Sequence, residues 1–315
     1  MTLAIEVENL TKRFGDLTAV DQLTLGIRKG EIFGFLGPNG AGKTTSIRMM
    51  TGLLKPTSGK VLIEGEEIET VSKRVKRNIG VCPQDIVVWD RLTCRENLLL
   101  IGDMYEVPRE VSVQRAGELL QAMNLAEKSD TQARKLSGGM KKRLNLALAL
   151  IHDPEIMVLD EPITGLDPQS RLMVSEYIRS LGEDQGKTII LTTHLMEVAD
   201  QLSDRVAIID HGKLLVLDTP EQLKKTVGRG DVVEISLFDT SKNSQAIEML
   251  KEMEGIEEIN EIRGKITLRA LNAVNMLPTI FDSLQRIDLD ILNLSLRANS
   301  LENVFITLTG RALRE

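Results

Sequence analysis

Apolar residues along the first third of the chain fall in short blocks separated by turn residues. Ile5 to Val7, Gln22 to Ile27 and Glu31 to Leu36 read as strands, with Lys29-Gly30 turning between the last two. Lys43 to Leu54 has helical content, and Pro56, Ser58 and Gly59 end it before Lys60 to Glu64, a further strand and hairpin. From about Thr93 to Ile151 the period changes to that of helices: Glu96 to Tyr105, Arg109 to Met123, and a third from Ser137. In the third, Met140, Leu144, Ala147, Leu148 and Ile151 share one stripe, and Asp153-Pro154 stops it. Strand and helix then alternate, with strands at Ile156 to Leu159, Thr188 to Thr192 and Val206 to Ile209 and helices at Pro168 to Leu181 and Leu195 to Leu202. Such alternation predicts right-handed crossovers and a mainly parallel sheet.

After Pro220 a second series begins: strand Val232 to Leu237, helix Gln245 to Met253, strands Ile256 to Ile262 and Lys265 to Arg269, helix Ala273 to Arg286, and strand Leu289 to Leu296. The order β-α-β-β-α-β predicts a ferredoxin-like unit, followed by a helix from Leu301 to about Arg311. The expected organisation is thus residues 1–219, with a helical insert at about 86–151, and a smaller α+β domain at 220–315, joined near Thr219 to Gly230.

The length of 315 residues suits two domains, and 42% hydrophobic with 27% charged residues is the composition of a folded globular chain. Residues 1–219 hold 27 basic and 31 acidic residues, and the rest hold 12 and 15. Neither part is basic, so direct nucleic-acid binding is not expected. No apolar run approaches the roughly 20 residues of a membrane span, and the N-terminal segment, with Glu6 and Glu8, lacks the basic start and apolar stretch of a signal peptide. Two cysteines and three scattered histidines offer neither a disulfide framework nor a structural metal site, which places the chain in a reducing cytoplasm.

Gly37 to Thr44 reads GPNGAGKT and fits G-x-x-x-x-G-K-[ST] between an apolar strand and a helix. Its backbone, running through Pro38, Asn39, Gly40, Ala41 and Gly42, can turn N–H groups toward phosphate oxygens, and the helix start at Thr44 and Thr45 adds partial positive charge. Lys43 can reach the β- and γ-phosphates, and the Thr44 hydroxyl can ligate Mg²⁺. Downstream, the strand Ile156 to Leu159 delivers Asp160 and Glu161 to the sheet edge where α/β proteins bind ligands. There Asp160 can hold the metal and Glu161 can polarise water.

With these motifs in place, residues 1 to about 219 resemble the nucleotide-binding subunit of an ATP-binding cassette (ABC) transporter. Leu136-Ser137-Gly138-Gly139-Met140 is similar to the family signature LSGGQ, with Met140 where the glutamine would be. Gln84 in VCPQD matches the Q-loop, Gly165-Leu166-Asp167 the D-loop, and His194 in TTHLMEVAD the switch histidine. Phe14 stands where the family stacks an aromatic ring on adenine. The resemblance implies the phosphate-loop ABC ATPase fold: a mainly parallel core sheet, an antiparallel β subdomain and a helical insert. It also implies catalytic roles for Glu161, His194 and Gln84, with Gln84 beside the metal held by Thr44 and Asp160. Phe14, Gly37 to Thr45, Ser137, Gly138, Gly139 and Asp167 would contact nucleotide.

The resemblance further implies a head-to-tail homodimer closed on ATP, with Ser137 and Gly139 of one copy over the γ-phosphate held by Lys43 of the other. Together with KKRLNLALALIHDPE and the tail SLENVFITLTGR, the signature resembles the drug- and antibiotic-resistance exporter branch, whose permease is a separate integral-membrane polypeptide. On that reading the subunit is peripheral at the inner face of the membrane. Val87, Val88 and Trp89 can either face a permease helix or pack inside the helical insert. The run Lys73, Arg74, Lys76, Arg77 reads as a solvated face, with anionic lipid the other possibility. Alternatives are a soluble ABC ATPase acting on nucleic acid or the ribosome, and a tail that senses a small ligand.

Overall fold

A computed structural model describes the chain except for Met1, Val71, residues 227–230, Arg263, Leu271, Asn272, Asp288, Ala298 and residues 310–315, and without the side chains of Lys73 and Arg74. The backbone forms two compact units, one built on Met1–Pro220 and a second on Glu221–Ala312.

The first unit begins with β1 (Leu3–Phe14), β2 (Leu17–Arg28) and β3 (Ile32–Leu36), then α1 (Lys43–Met50), β4 (Ser58–Ile63), β5 (Glu66–Glu67), α2 (Lys73–Arg77) and β6 (Ile79–Cys82). Three helices follow, α3 (Cys94–Met104), α4 (Arg109–Ala122) and α5 (Gly138–Leu148). The unit closes with β7 (Ile156–Asp160), α6 (Pro168–Glu183), β8 (Thr188–Thr193), α7 (Met196–Leu202), β9 (Arg205–Asp210) and β10 (Lys213–Asp218).

Its main sheet has the order β10-β9-β3-β8-β7-β6, parallel except for β10. Every residue of β3, β7 and β8 is buried, as expected where both faces of a parallel sheet are covered. Within β7 the period of two divides the load. Ile156 and Val158 pack with Phe33, Phe35, α1 and the antiparallel sheet β2-β1-β4-β5, whereas Met157 and Leu159 face the core built by α3 to α7.

Local signals fix the helix starts. Thr93 and Glu96 form a reciprocal capping box at α3, Ser137 accepts from the Met140 N–H at α5, and Asp167 accepts from Ser170 before Pro168 opens α6. Strands β1 and β2 are much longer than their apolar blocks suggested, because register shifts at Leu3/Ile5, Val7/Leu10 and Leu10/Lys12 break the alternation without ending the pairing. The basic run forms the short helix α2, capped by Ser72, and Arg77 pairs with Glu106 at 2.5 Å. The side chains of Lys73 and Arg74 lie outside the described residues.

The second unit contains α8 (Pro220–Thr226), β11 (Asp231–Leu237), α9 (Asn243–Lys251), β12 (Ile256–Ile262), β13 (Lys265–Ala270), α10 (Ala273–Arg286), β14 (Ile291–Arg297) and α11 (Leu301–Thr309). Its sheet is antiparallel throughout with order β12-β13-β11-β14, the ferredoxin-like arrangement. Val233, Ile235, Ile266 and Leu268 pack on Ala246, Leu250, Ile280 and Leu284 of α9 and α10. Arg311, at the expected end of the last helix, and Gly228 to Gly230 of the expected linker lie outside the described residues.

Candidate active site

Strand register brings four chain segments to one edge of the parallel sheet. Leu36 pairs with Thr193, Asp160 with Thr192, and Cys82 with Leu159, so β3, β8, β7 and β6 end together. The residues that follow them are Gly37, His194, Glu161 and the Pro83-Gln84 pair. Ligands of open α/β sheets bind at such carboxyl ends.

After β3 the loop from Gly37 to Gly42 leads into α1. Gly40 and Gly42 have φ of 83° and 101°, and a Cβ at Gly42 would lie 2.5 Å from the Ala19 carbonyl oxygen, so this position demands glycine twice over. The same contact seats β2, and with it the hairpin that carries Phe14, beside the loop. Phe14 is half exposed, and the Lys12 ammonium lies 5.2 Å from its ring centroid. Asn39 is exposed, Ala41 is buried, and Thr44 and Thr45 are half-buried at the helix start.

Lys43 is buried. Its Nζ donates to the carbonyls of Gly37 at 2.7 Å and Pro38 at 3.1 Å and lies 3.6 Å from Glu161 Oε1. Burial lowers its pKa by more than the charges of Glu161 and Asp160 raise it. Glu161 has φ of 51°, an uncommon backbone state for a non-glycine residue. Burial pushes its carboxyl pKa up, but hydrogen bonds from His194 and Thr164 and the charges of His194 and Lys43 outweigh that, and the net shift is downward. His194 Nδ1 stands 3.0 Å from the Glu161 carboxylate, and Thr164 Oγ1 donates to it at 3.0 Å.

Asp160 is held by a residue the sequence did not single out. Thr192, fully buried, donates to Asp160 Oδ1 at 2.5 Å while accepting from the Glu161 N–H at 2.9 Å. Its only signal was a hydroxyl closing an apolar strand. Thr164 and Lys142, whose ammonium donates to the Thr164 carbonyl, likewise belong to no motif in the sequence. Among the described residues, the hydrogen-bonded and ionic network joins Lys43, Asp160, Glu161 and His194 and does not extend to Gln84, Ser137, Gly138, Gly139 or Asp167. Gln84 is exposed on the loop after β6. Ser137 and Gly138 are exposed at the tip of α5, and Asp167 is exposed at the start of α6. Of the apolar residues after Gln84, Val87 and Trp89 are exposed at 50% and 41%, whereas Val88 packs on the core.

The side chains of Asp160 and Thr44 offer oxygen ligands only, which suits a hard divalent cation such as Mg²⁺. Among the described residues, no three His, Cys, Asp or Glu side chains form a cluster that could hold a metal ion.

Comparison with known proteins decides the family. The ABC transporter family profile matches residues 20–164. Over 313 residues the chain is 34% identical to the linearmycin resistance ATP-binding protein LnrL of Bacillus subtilis (strain 168), covering 99% of this chain and all of that protein. The chain belongs to the ABC transporter family. It is also 38% identical to a Nod factor export ATP-binding protein I of Ralstonia nicotianae (strain ATCC BAA-1114 / GMI1000), over all of this chain and 96% of that one. Identity to the daunorubicin resistance ATP-binding protein DrrA3 of Streptomyces coeruleorubidus is 36%, over 98% and 96%. Among solved structures, the ATP-binding cassette MJ0796, dimeric and bound to ADP and Pi, superposes with a TM-score of 0.63 at 27% identity, covering 68% of this chain and 98% of that chain. The protein is therefore an ABC ATPase, the ATP-hydrolysing nucleotide-binding subunit of a transporter. No helix among its described residues is long and apolar enough to cross a membrane.

Proposed function

We propose that two copies of this subunit close head to tail around two Mg-ATP and drive a separate integral-membrane permease, in the export direction, from the cytoplasmic face of the membrane. The observation that carries the reading is the convergence of Lys43, Asp160, Glu161 and His194 at adjoining strand ends, with one carboxylate in contact with both the lysine and the histidine.

The N–H groups from Gly37 to Thr45 bind the phosphates, Lys43 pairs with their β- and γ-oxygens, and Phe14 stacks on adenine. Thr44, Asp160 and Gln84 are the residues that would hold Mg²⁺. When bound, the ion neutralises charge developing on the transferred phosphoryl group. Glu161 accepts the proton of the attacking water, and its lowered pKa keeps it ionised at neutral pH. His194, oriented by Glu161, and Gln84 position the γ-phosphate and that water. Ser137, Gly138 and Gly139 supply a second anion-binding helix tip from the opposite copy, next to its Asp167. The tip is exposed and its cap is already formed, so it is free to be covered by another chain.

The exposed Val87 and Trp89 next to Gln84 fit a short permease helix. Full-length relatives with export and resistance names support this partner and direction. The test is membrane recovery of the chain expressed with its permease. Trp89→Asp should lower the recovered amount about tenfold, the effect of placing a charge in an apolar contact. Recovery equal to wild type would contradict the docking assignment.

A further inference from the structure

Between Cys82 and Thr93 the chain leaves the sheet, passes Gln84, exposes Val87 and Trp89, and enters α3 without pairing to any strand among the described residues except through the bridge from Thr93 to Gln132. Backbone groups in such a segment still need partners where they are buried. Two buried asparagines supply them.

Asn145, on the inward face of α5, is 4% exposed. Its Nδ2 lies 3.1 Å from the Pro83 carbonyl, 3.4 Å from the Asp85 carbonyl and 3.5 Å from Cys82 Sγ, and its Oδ1 accepts from the Val87 N–H at 3.1 Å. The two carbonyls flank Gln84, so one amide brackets that residue and fixes the start of the apolar tip. Asn97 of α3, fully buried, does the same at the other end: Nδ2 reaches the carbonyls of Trp89, Leu92 and Thr93, and Oδ1 accepts from the Trp89 N–H at 2.8 Å. Asparagine is a poor helix former, and an apolar residue would bury more favourably at position 145. What only the amide offers is donors and an acceptor in one short side chain.

Asn145 lies eight residues after Ser137 on the same helix, roughly 12 Å along its axis. The helix that ends in the signature tip therefore grips the Gln84 segment two turns later. We propose that Asn145 is a positioning residue for ATP hydrolysis, carrying displacement of the Ser137 tip to Gln84 and to the Trp89 surface. The inference rests on the roles proposed above for Gln84 and Ser137.

Trp89 is the single tryptophan of the chain, so its fluorescence reports this loop directly. The experiment uses full-length wild type, Asn145→Leu and the isosteric Asn145→Asp, which keeps an acceptor but turns a carboxylate toward two carbonyls. Acrylamide quenching of Trp89 without nucleotide should rise about twofold in both variants, and kcat for ATP should fall about tenfold with nucleotide affinity within about threefold of wild type. If the leucine variant fails to fold, the aspartate variant decides. Unchanged quenching and kcat, or a parallel loss of affinity and thermal stability with unchanged quenching, would overturn the proposal. A wild type that hydrolyses no ATP would instead contradict the ATPase assignment, and the nucleotide-free quenching would still decide whether Asn145 holds the loop.

Discussion

Two regions of this molecule gather charged side chains on a sheet, and they handle the charges in opposite ways. At the strand ends of the first unit, Lys43, Asp160 and Glu161 are all buried and crowd one small site. On the face of the second unit's sheet turned away from α9 and α10, Glu234 pairs with Lys265 at 3.8 Å and Arg297 at 3.6 Å, and Glu258 pairs with Arg269 at 3.7 Å, around a groove of about 690 Å³. Most of those partners stand well exposed. A parallel sheet covered on both faces forces its polar residues to the strand ends, where low dielectric makes each charge costly and effective. An antiparallel sheet with one wet face can scatter charges along its strands, where water screens them. The physics that makes the first region a site makes the second tolerant.

The largest break in this contrast is Lys43→Ala. Removing the buried ammonium should weaken ATP binding by about a hundredfold, the scale of a desolvated charge contact to phosphate. Titration with a fluorescent nucleotide checks it, and wild-type affinity would detach the lysine from the phosphate.

A smaller effect is set by pH. Glu161 has a lowered pKa in the folded chain, so its ionised form contributes stability that is fully present above the ordinary carboxylate range near about 4.3 and lost as pH falls through the depressed value. The difference in unfolding free energy between wild type and Glu161→Gln should be flat above about pH 5 and shift against wild type only below about pH 4. A change centred near neutrality would contradict the network around this carboxylate.

The smallest expected effect is Glu234→Ala in the second unit. Its pairs are at surface-like distances, and chemical denaturation should register a loss below about 1 kcal/mol. A loss of several kcal/mol would erase the distinction between the two regions.

Much of the first region is legible in the sequence because its chemistry is local. The glycines, lysine and threonines from Gly37 to Thr45 are contiguous, and Asp160 and Glu161 follow an unbroken apolar strand. The residues that hold them are not legible, because their partners are remote in sequence: Thr192 reaches back 32 residues to Asp160, and Asn145 reaches back 62 to Pro83. A buried threonine or asparagine looks like any other until the register is known. The long strands β1 and β2 are hidden for a different reason, since their irregular register scrambles the alternation that a strand otherwise displays. For the loop after Gln84, apolarity alone could not separate Val88, which packs inward, from Val87 and Trp89, which face out.

The proposed function holds each nucleotide between two copies of the chain. Its most direct test is the mass of full-length Glu161→Gln in solution, measured by sedimentation equilibrium with and without saturating Mg-ATP. That variant keeps the phosphate loop and the Ser137 tip but lacks the carboxylate proposed to take the proton from water. It should be monomeric alone and dimeric with Mg-ATP, and a second substitution, Ser137→Arg, should return it to monomer with nucleotide still bound. A Glu161→Gln chain that binds Mg-ATP and stays monomeric would contradict the account.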